Sequence, residues 1–152
     1  MLKEKITVGE AVELIHDSIM TFEDGLPSAD ISAIIYAINN EIQIRDYLLG
    51  LPDTFSMDTC KAFLSYISDS VDGADRYSVD TINSAYFFET GDIPMSAMLL
   101  ATALDTKSDY SLALLLKRVI EANWPSDSFR KMREELHPQV IANLEEMSDQ
   151  LI

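Results

Sequence analysis

The chain has 152 residues, the size of one ordinary domain. Its 26 acidic and 11 basic residues leave a formal net charge of −15, which argues against direct binding to nucleic acid or to anionic membranes. Hydrophobic residues make up 47% of the chain, enough for a core, and the single Cys60 excludes an intrachain disulfide and a Cys-based zinc site, so a cytoplasmic protein is expected.

Helical spacing dominates the chain from its first residues. Thr7 with Glu10 is a capping-box start, followed by Val8, Ala11, Val12, Ile15, Ile19 and Phe22 at steps of three and four. Gly25 and Pro27 end that helix. Ser28 or Asp30 opens the next, in which Ala29, Ala33 and Ala37 fill the gaps between isoleucines. A break at Asn39-Asn40 starts a third helix over 41–49, closed by Gly50 and Pro52. Ser56 caps the fourth, with Cys60, Phe63, Leu64, Ile67 and Val71 on one face. After a polar loop at 72–76, Ser78 begins the fifth, which Gly91 ends.

Asp92 and Pro94 start the sixth helix, where a first-turn proline costs no hydrogen bond. The run 93–104 holds no charge, and its apolar residues occupy every face, so this helix is expected at the centre. Twelve residues are too few to span a bilayer, and no targeting segment is visible. The seventh helix is predicted over 110–122 and ends at Asn123-Trp124-Pro125; the eighth covers 127–136; His137-Pro138 breaks it, and a ninth covers 139–150. No alternating strand pattern appears. The expected fold is a compact all-α bundle of eight or nine short helices in a single domain, 1–152.

Charge is unevenly spread along these elements. Residues 6–60 hold ten acidic side chains and one basic, Arg45, whereas residues 117–152 hold seven acidic and five basic. A strongly negative front and a mixed back are expected.

Residues 88–116 read FETGDIPMSAMLLATALDTKSDYSLALLL. Phe88, Gly91-Asp92, Ser96, Ala103-Leu104 and Tyr110-Ser111-Leu112-Ala113 with Leu115-Leu116, together with Arg45-Asp46-x-Leu48-Leu49 upstream, form a recurring pattern. The pattern resembles the C-terminal helical part of the actinobacterial domain of unknown function 4192 family, over residues 31–130. Ser108 stands where that family's turn often has proline. Gly-Asp followed by Ala-Leu also looks like a tetratricopeptide helix pair. The resemblance implies an all-α module with one tetratricopeptide-like hairpin, in which Arg45, Asp46, Gly91, Asp92 and Tyr110 are structural. It implies no activity.

The only two histidines lie in Glu-x-x-His pairs, Glu13/His16 and Glu134/His137, the spacing used by carboxylate-bridged di-iron bundles. At about 100° per residue both glutamates point away from their helices' apolar faces. A surface role is therefore expected and no metal or other cofactor. Cys60 shares a face with Phe63, Leu64 and Ile67, as a buried small hydrophobe does and a nucleophile does not. No glycine-rich phosphate loop and no nucleophile elbow is present.

Glu10, Glu13 and Asp17 form an outward stripe on the first helix, which Glu23, Asp24 and Asp30 extend; Glu41, Asp53 and Asp58 follow. The stripe reads either as a solvated face or as a docking surface for a basic partner. Arg45 is expected to pair with Glu41 one turn back. Tyr86, Phe87 and Phe88 cannot all face one core, so Phe87 and Trp124 are candidate aromatic anchors. Arg130, Lys131 and Arg133 are expected to pair with the protein's own acid.

The expected function is a non-enzymatic interaction module whose acidic helical surface docks a protein partner, with a basic partner as the first candidate, or a second copy of the chain. The alternative is an acidic nucleic-acid mimic of the anti-defence type that inhibits a DNA- or RNA-binding protein. A metalloenzyme built on the two Glu-x-x-His pairs is the third reading.

Overall fold

The computed structural model describes residues 5–152 and is all-α. Eight helices follow in order: α1 Val8–Thr21, α2 Ser28–Asn40, α3 Ile42–Leu49, α4 Met57–Asp69, α5 Tyr77–Glu89, α6 Ile93–Thr106, α7 Ser111–Glu121 and α8 Ser128–Glu146. The described residues form no strand; one isolated antiparallel bridge joins Thr7 to Leu151.

Local sequence accounts for most of the boundaries. Thr7 and Glu10 make the reciprocal capping box, and the Ser56 and Asp92 side chains accept from the backbone N–H of Thr59 and Met95. Gly91, at φ +82°, provides the left-handed turn that separates α5 from α6. The remaining first-turn donors of α1 are satisfied from the other end of the chain. Val8 N–H donates to the Gln150 carbonyl and Gly9 N–H to that of Ser148, both at 2.9 Å. The C-terminal tail thus completes the first helix.

The centre of the bundle is α5, where ten of 13 residues are buried. Val79, Ile82 and Tyr86 face the larger apolar cluster formed with α1 to α4. Ala85 and Phe88 face a second cluster formed with α6, α7 and Phe129. Its buried polar side chains find partners across the bundle, apart from the Asn83 Oδ1, which has none among the described residues. Ser84 and Ser96 each donate to the other's carbonyl, at 2.6 and 2.8 Å, which locks α5 against α6. Ser68 donates to Asp80 at 2.8 Å, Ser78 to the Tyr110 hydroxyl at 2.9 Å, and the Tyr86 hydroxyl to the Leu48 carbonyl. Buried polar side chains are tolerated when partnered in this way.

The expectation that α6 is central does not hold. Only Ser96, Leu100 and Ala103 of α6 are buried, and Met98 is 56% exposed. Hydrophobicity alone misled: α6 is apolar but buries only Ser96, Leu100 and Ala103, while α5 carries polar side chains into the core because partners on neighbouring helices meet them.

The break at His137-Pro138 also does not occur. A single helix, α8, runs through Pro138. An interior proline removes one backbone hydrogen bond at a cost of about 3 kcal/mol. Anchors on both sides offset it: Arg133 binds Glu89 and Asp53 before the proline, and Asn143 binds Gln43 while Leu144 is buried after it.

No described helix is long and apolar enough to cross a membrane.

Candidate functional site

The feature that stands out chemically is an apolar cleft of about 170 Å³ bounded by α3, α5, α7 and α8. It arises from packing geometry. α7 lies on α6 and α5, whereas α8 lies on α3 and α5. The two helices face each other over the small Ala85 of α5. Leu112 and Leu115 come from α7, and Met132, Leu136 and Val140 come from successive turns of α8. Three of these stay open to solvent: Leu115 at 44%, Met132 at 37% and Leu136 at 55% exposure. Solvent-exposed leucines gathered around one hollow differ from scattered surface apolar residues. A second hollow, of about 550 Å³, lies between α2 and residues 70–75 and is lined mainly by Ser, Asn and Asp side chains.

One end of the cleft is built from charge. Arg133 donates to both carboxylate oxygens of Glu89, at 3.1 and 3.2 Å, and also binds Asp53. The Glu89 side chain is only 4% exposed. Burial works against both charges of this pair. Arg133 nonetheless stays above its ordinary value because Glu89 and Asp53 face it. Burial holds Glu89 above the ordinary carboxylate range against the opposing pull of Arg133.

His137 closes the same end. Its ring lies directly on Gly50, where a methyl group would overlap it, and stacks on Tyr47 at 6.4 Å. Its Nδ1 is buried and has no hydrogen-bond partner among the described residues. Burial keeps this histidine below its ordinary value, with Asp53 pulling up and Arg133 down. The expected surface position of His137 at a fraying helix end is therefore corrected: it sits mid-helix and half-buried.

The other sequence candidates fall elsewhere. Glu13/His16 and Glu134/His137 do not come together, and no group of three His, Cys, Asp or Glu side chains among the described residues is placed to hold a metal. Cys60 is buried, and burial pushes its thiol up to about 12. Glu10 is spent on the α1 cap, where the Thr7 backbone N–H and hydroxyl hold its carboxylate below the ordinary range. Glu13, Asp17, Glu23 and Asp24 are exposed, Asp30 is half-buried, and His16 lies 3.7 Å from Asp17.

Arg45 pairs with Asp46 at 2.9 Å, not with Glu41 as expected, because Glu41 caps α3 by accepting from Gln43 N–H. Gly91 and Asp92 form the α5–α6 corner, and Tyr110 sits at the start of α7 with its ring edge-on to Tyr77 at 5.0 Å. Phe87 is half-buried beneath the Lys61 ammonium, 4.4 Å from its ring centre, while Trp124 is 48% exposed after Asn123, which has a positive φ of 56°. Neither aromatic lines the cleft.

Sequence reasoning missed Glu89, Leu115 and Leu136 as members of one site. The available signal was the stripe Phe129, Met132, Leu136, Val140 and Leu144, continuous at helical spacing once Pro138 is not treated as a break.

No protein-family model, curated protein or solved structure matches the chain.

Proposed function

We propose that the protein is a non-enzymatic interaction module that docks a protein partner through the cleft between α7 and α8. The observation that carries this reading is the cluster of exposed Leu115, Met132 and Leu136 around an apolar hollow. The charged cluster beside it favours structure over chemistry. Arg133, Glu89 and Asp53 satisfy one another, and Cys60 is held as an unreactive thiol. The tetratricopeptide-like reading of the α5–α6 hairpin and a cytoplasmic location belong to the same proposal.

Leu136→Glu tests it. Leu136 is exposed, so the substitution leaves the core intact. Partners cross-linked in extracts of the native host, identified by mass spectrometry, are expected to be retained by the wild type and lost from the variant. Light scattering reports a second copy as the partner. An identical partner set for both proteins overturns the proposal.

A second reading, the acidic nucleic-acid mimic, draws on one observation. Glu13, Glu23, Asp24 and Asp30 have no ion pair with another described residue. Affinity for a basic nucleic-acid-binding protein then falls steeply with added salt, and a flat salt dependence contradicts it.

A further inference from the structure

We infer that the hollow between α2 and residues 70–75 is a binding site for a small organic polyamine, a methylene chain carrying ammonium groups. The hollow shares no lining residue with the cleft between α7 and α8 and stands apart from the docking role proposed above. Size argues first. At about 550 Å³ it lies within the roughly 300–1,000 Å³ of ordinary small-molecule sites. Shape argues second. Ser32, Tyr36 and Asn40 recur every four residues along α2 and make one wall about 12 Å long. Ile35 and Val71 add carbon surface to that of the Tyr36 ring, so a methylene stem lies against them while its charged ends stay wet.

Hydrogen bonding decides the ligand's chemistry. The lining turns donors onto the protein's own backbone carbonyls: Asn39 Nδ2 onto Asp75 at 3.3 Å, Asn40 Nδ2 onto Tyr36 at 2.8 Å, Ser70 Oγ onto Tyr66 at 2.7 Å and the Tyr36 hydroxyl onto Ile152 at 3.2 Å. Acceptors are left over. The Asp72 and Asp75 carboxylates and Asn40 Oδ1 receive no hydrogen bond from another described residue, and Asn39 Oδ1 is buried without one. No cation lines the hollow. Arg76, next to Asp75 in the chain, donates to the Val71 carbonyl at 3.1 Å and pairs with neither carboxylate. A phosphate or carboxylate ligand would meet these oxygens and a net charge of −15. A neutral sugar brings acceptors of its own and no charge to match the aspartates. A bare metal ion finds no group of three His, Cys, Asp or Glu side chains among the described residues. An ammonium group donates only, carries the opposite charge and needs no fixed coordination shell.

Titration calorimetry of the full chain with spermidine, at about 0.15 M salt to screen diffuse attraction, tests this. One saturable site per chain is expected. Two double variants each remove two negative charges: Asp72→Asn with Asp75→Asn in the hollow, and Glu13→Gln with Asp17→Asn on the exposed side of α1. All four side chains are exposed, Asp72 makes no side-chain cap, and circular dichroism confirms that both variants fold. Affinity is expected to fall at least about tenfold in the Asp72/Asp75 variant and by no more than about twofold in the Glu13/Asp17 variant. Absence of saturable binding overturns the site. A smaller loss in the first variant, or a larger loss in the second, overturns it too, because the polyamine then answers to net charge and not to the hollow. Magnesium chloride in place of spermidine separates an organic cation from a counterion. It is expected to bind at least about tenfold more weakly, and affinity closer to that of spermidine overturns the polyamine assignment.

Discussion

Gly50 and His137 show how a single missing side chain positions the site. The imidazole lies where a Gly50 side chain would be, which brings α8 down onto α3 at the charged end of the cleft. Gly50 has a φ of −91°, so its role is space and not backbone freedom. Gly50→Ala is therefore expected to cost about 1–3 kcal/mol in urea unfolding through overpacking. In a His137→Ala background the same change should be close to neutral, and equal costs in both backgrounds would show that the contact does not matter.

His137 also carries a pH signature. Its folded value is depressed below 6.5, so the unfolded chain binds the proton more readily. Stability from this residue is complete above pH 6.5 and is lost as pH falls through the range below it. His137→Gln is expected to flatten that slope. Glu89, raised by burial, has the opposite sign in the more acidic range, and subtracting the two proteins' profiles removes it. Parallel pH profiles for wild type and His137→Gln would contradict the assignment.

At the scale of elements, α8 is the least legible part of the sequence. Proline preference alone divides it, whereas the apolar spacing from Phe129 to Leu144 keeps it whole. Tertiary anchors decide the outcome, and they involve Glu89, Asp53 and Gln43, each remote in sequence. Pro138→Ala restores the missing backbone donor and is expected to raise stability by up to about 3 kcal/mol, read as a higher urea midpoint at unchanged m-value. A loss of stability would mean that the proline's geometry places His137 and Val140. The capped starts of α1, α4 and α6 were legible because Thr7, Ser56 and Asp92 act on their own first turns. The exchange between α5 and α6 was not legible. Burying Asp80, Asn83 and Ser84 depends on Ser68, Ser65 and Ser96, partners that no local pattern announces.

At the scale of the molecule, the −15 charge is less uniform in purpose than its sequence distribution suggests. Among the acidic residues of the first third, Glu10 and Glu41 cap helices, Asp46 binds Arg45, and Asp53 binds Arg133 from the opposite end of the chain. The rest, led by Glu13, Asp17, Glu23 and Asp24, are exposed and lie outside the cleft lining. The cleft proposed for docking and the exposed acidic residues of the first helix are thus separate places, which makes the two proposals separable by experiment. Hydrogen–deuterium exchange on the full chain, with and without its cross-linked native partner, compares the two directly. Protection is predicted in α7 and α8 around Leu115, Met132 and Leu136. Protection confined to α1 around Glu13 and Asp17 would contradict the cleft as the docking site.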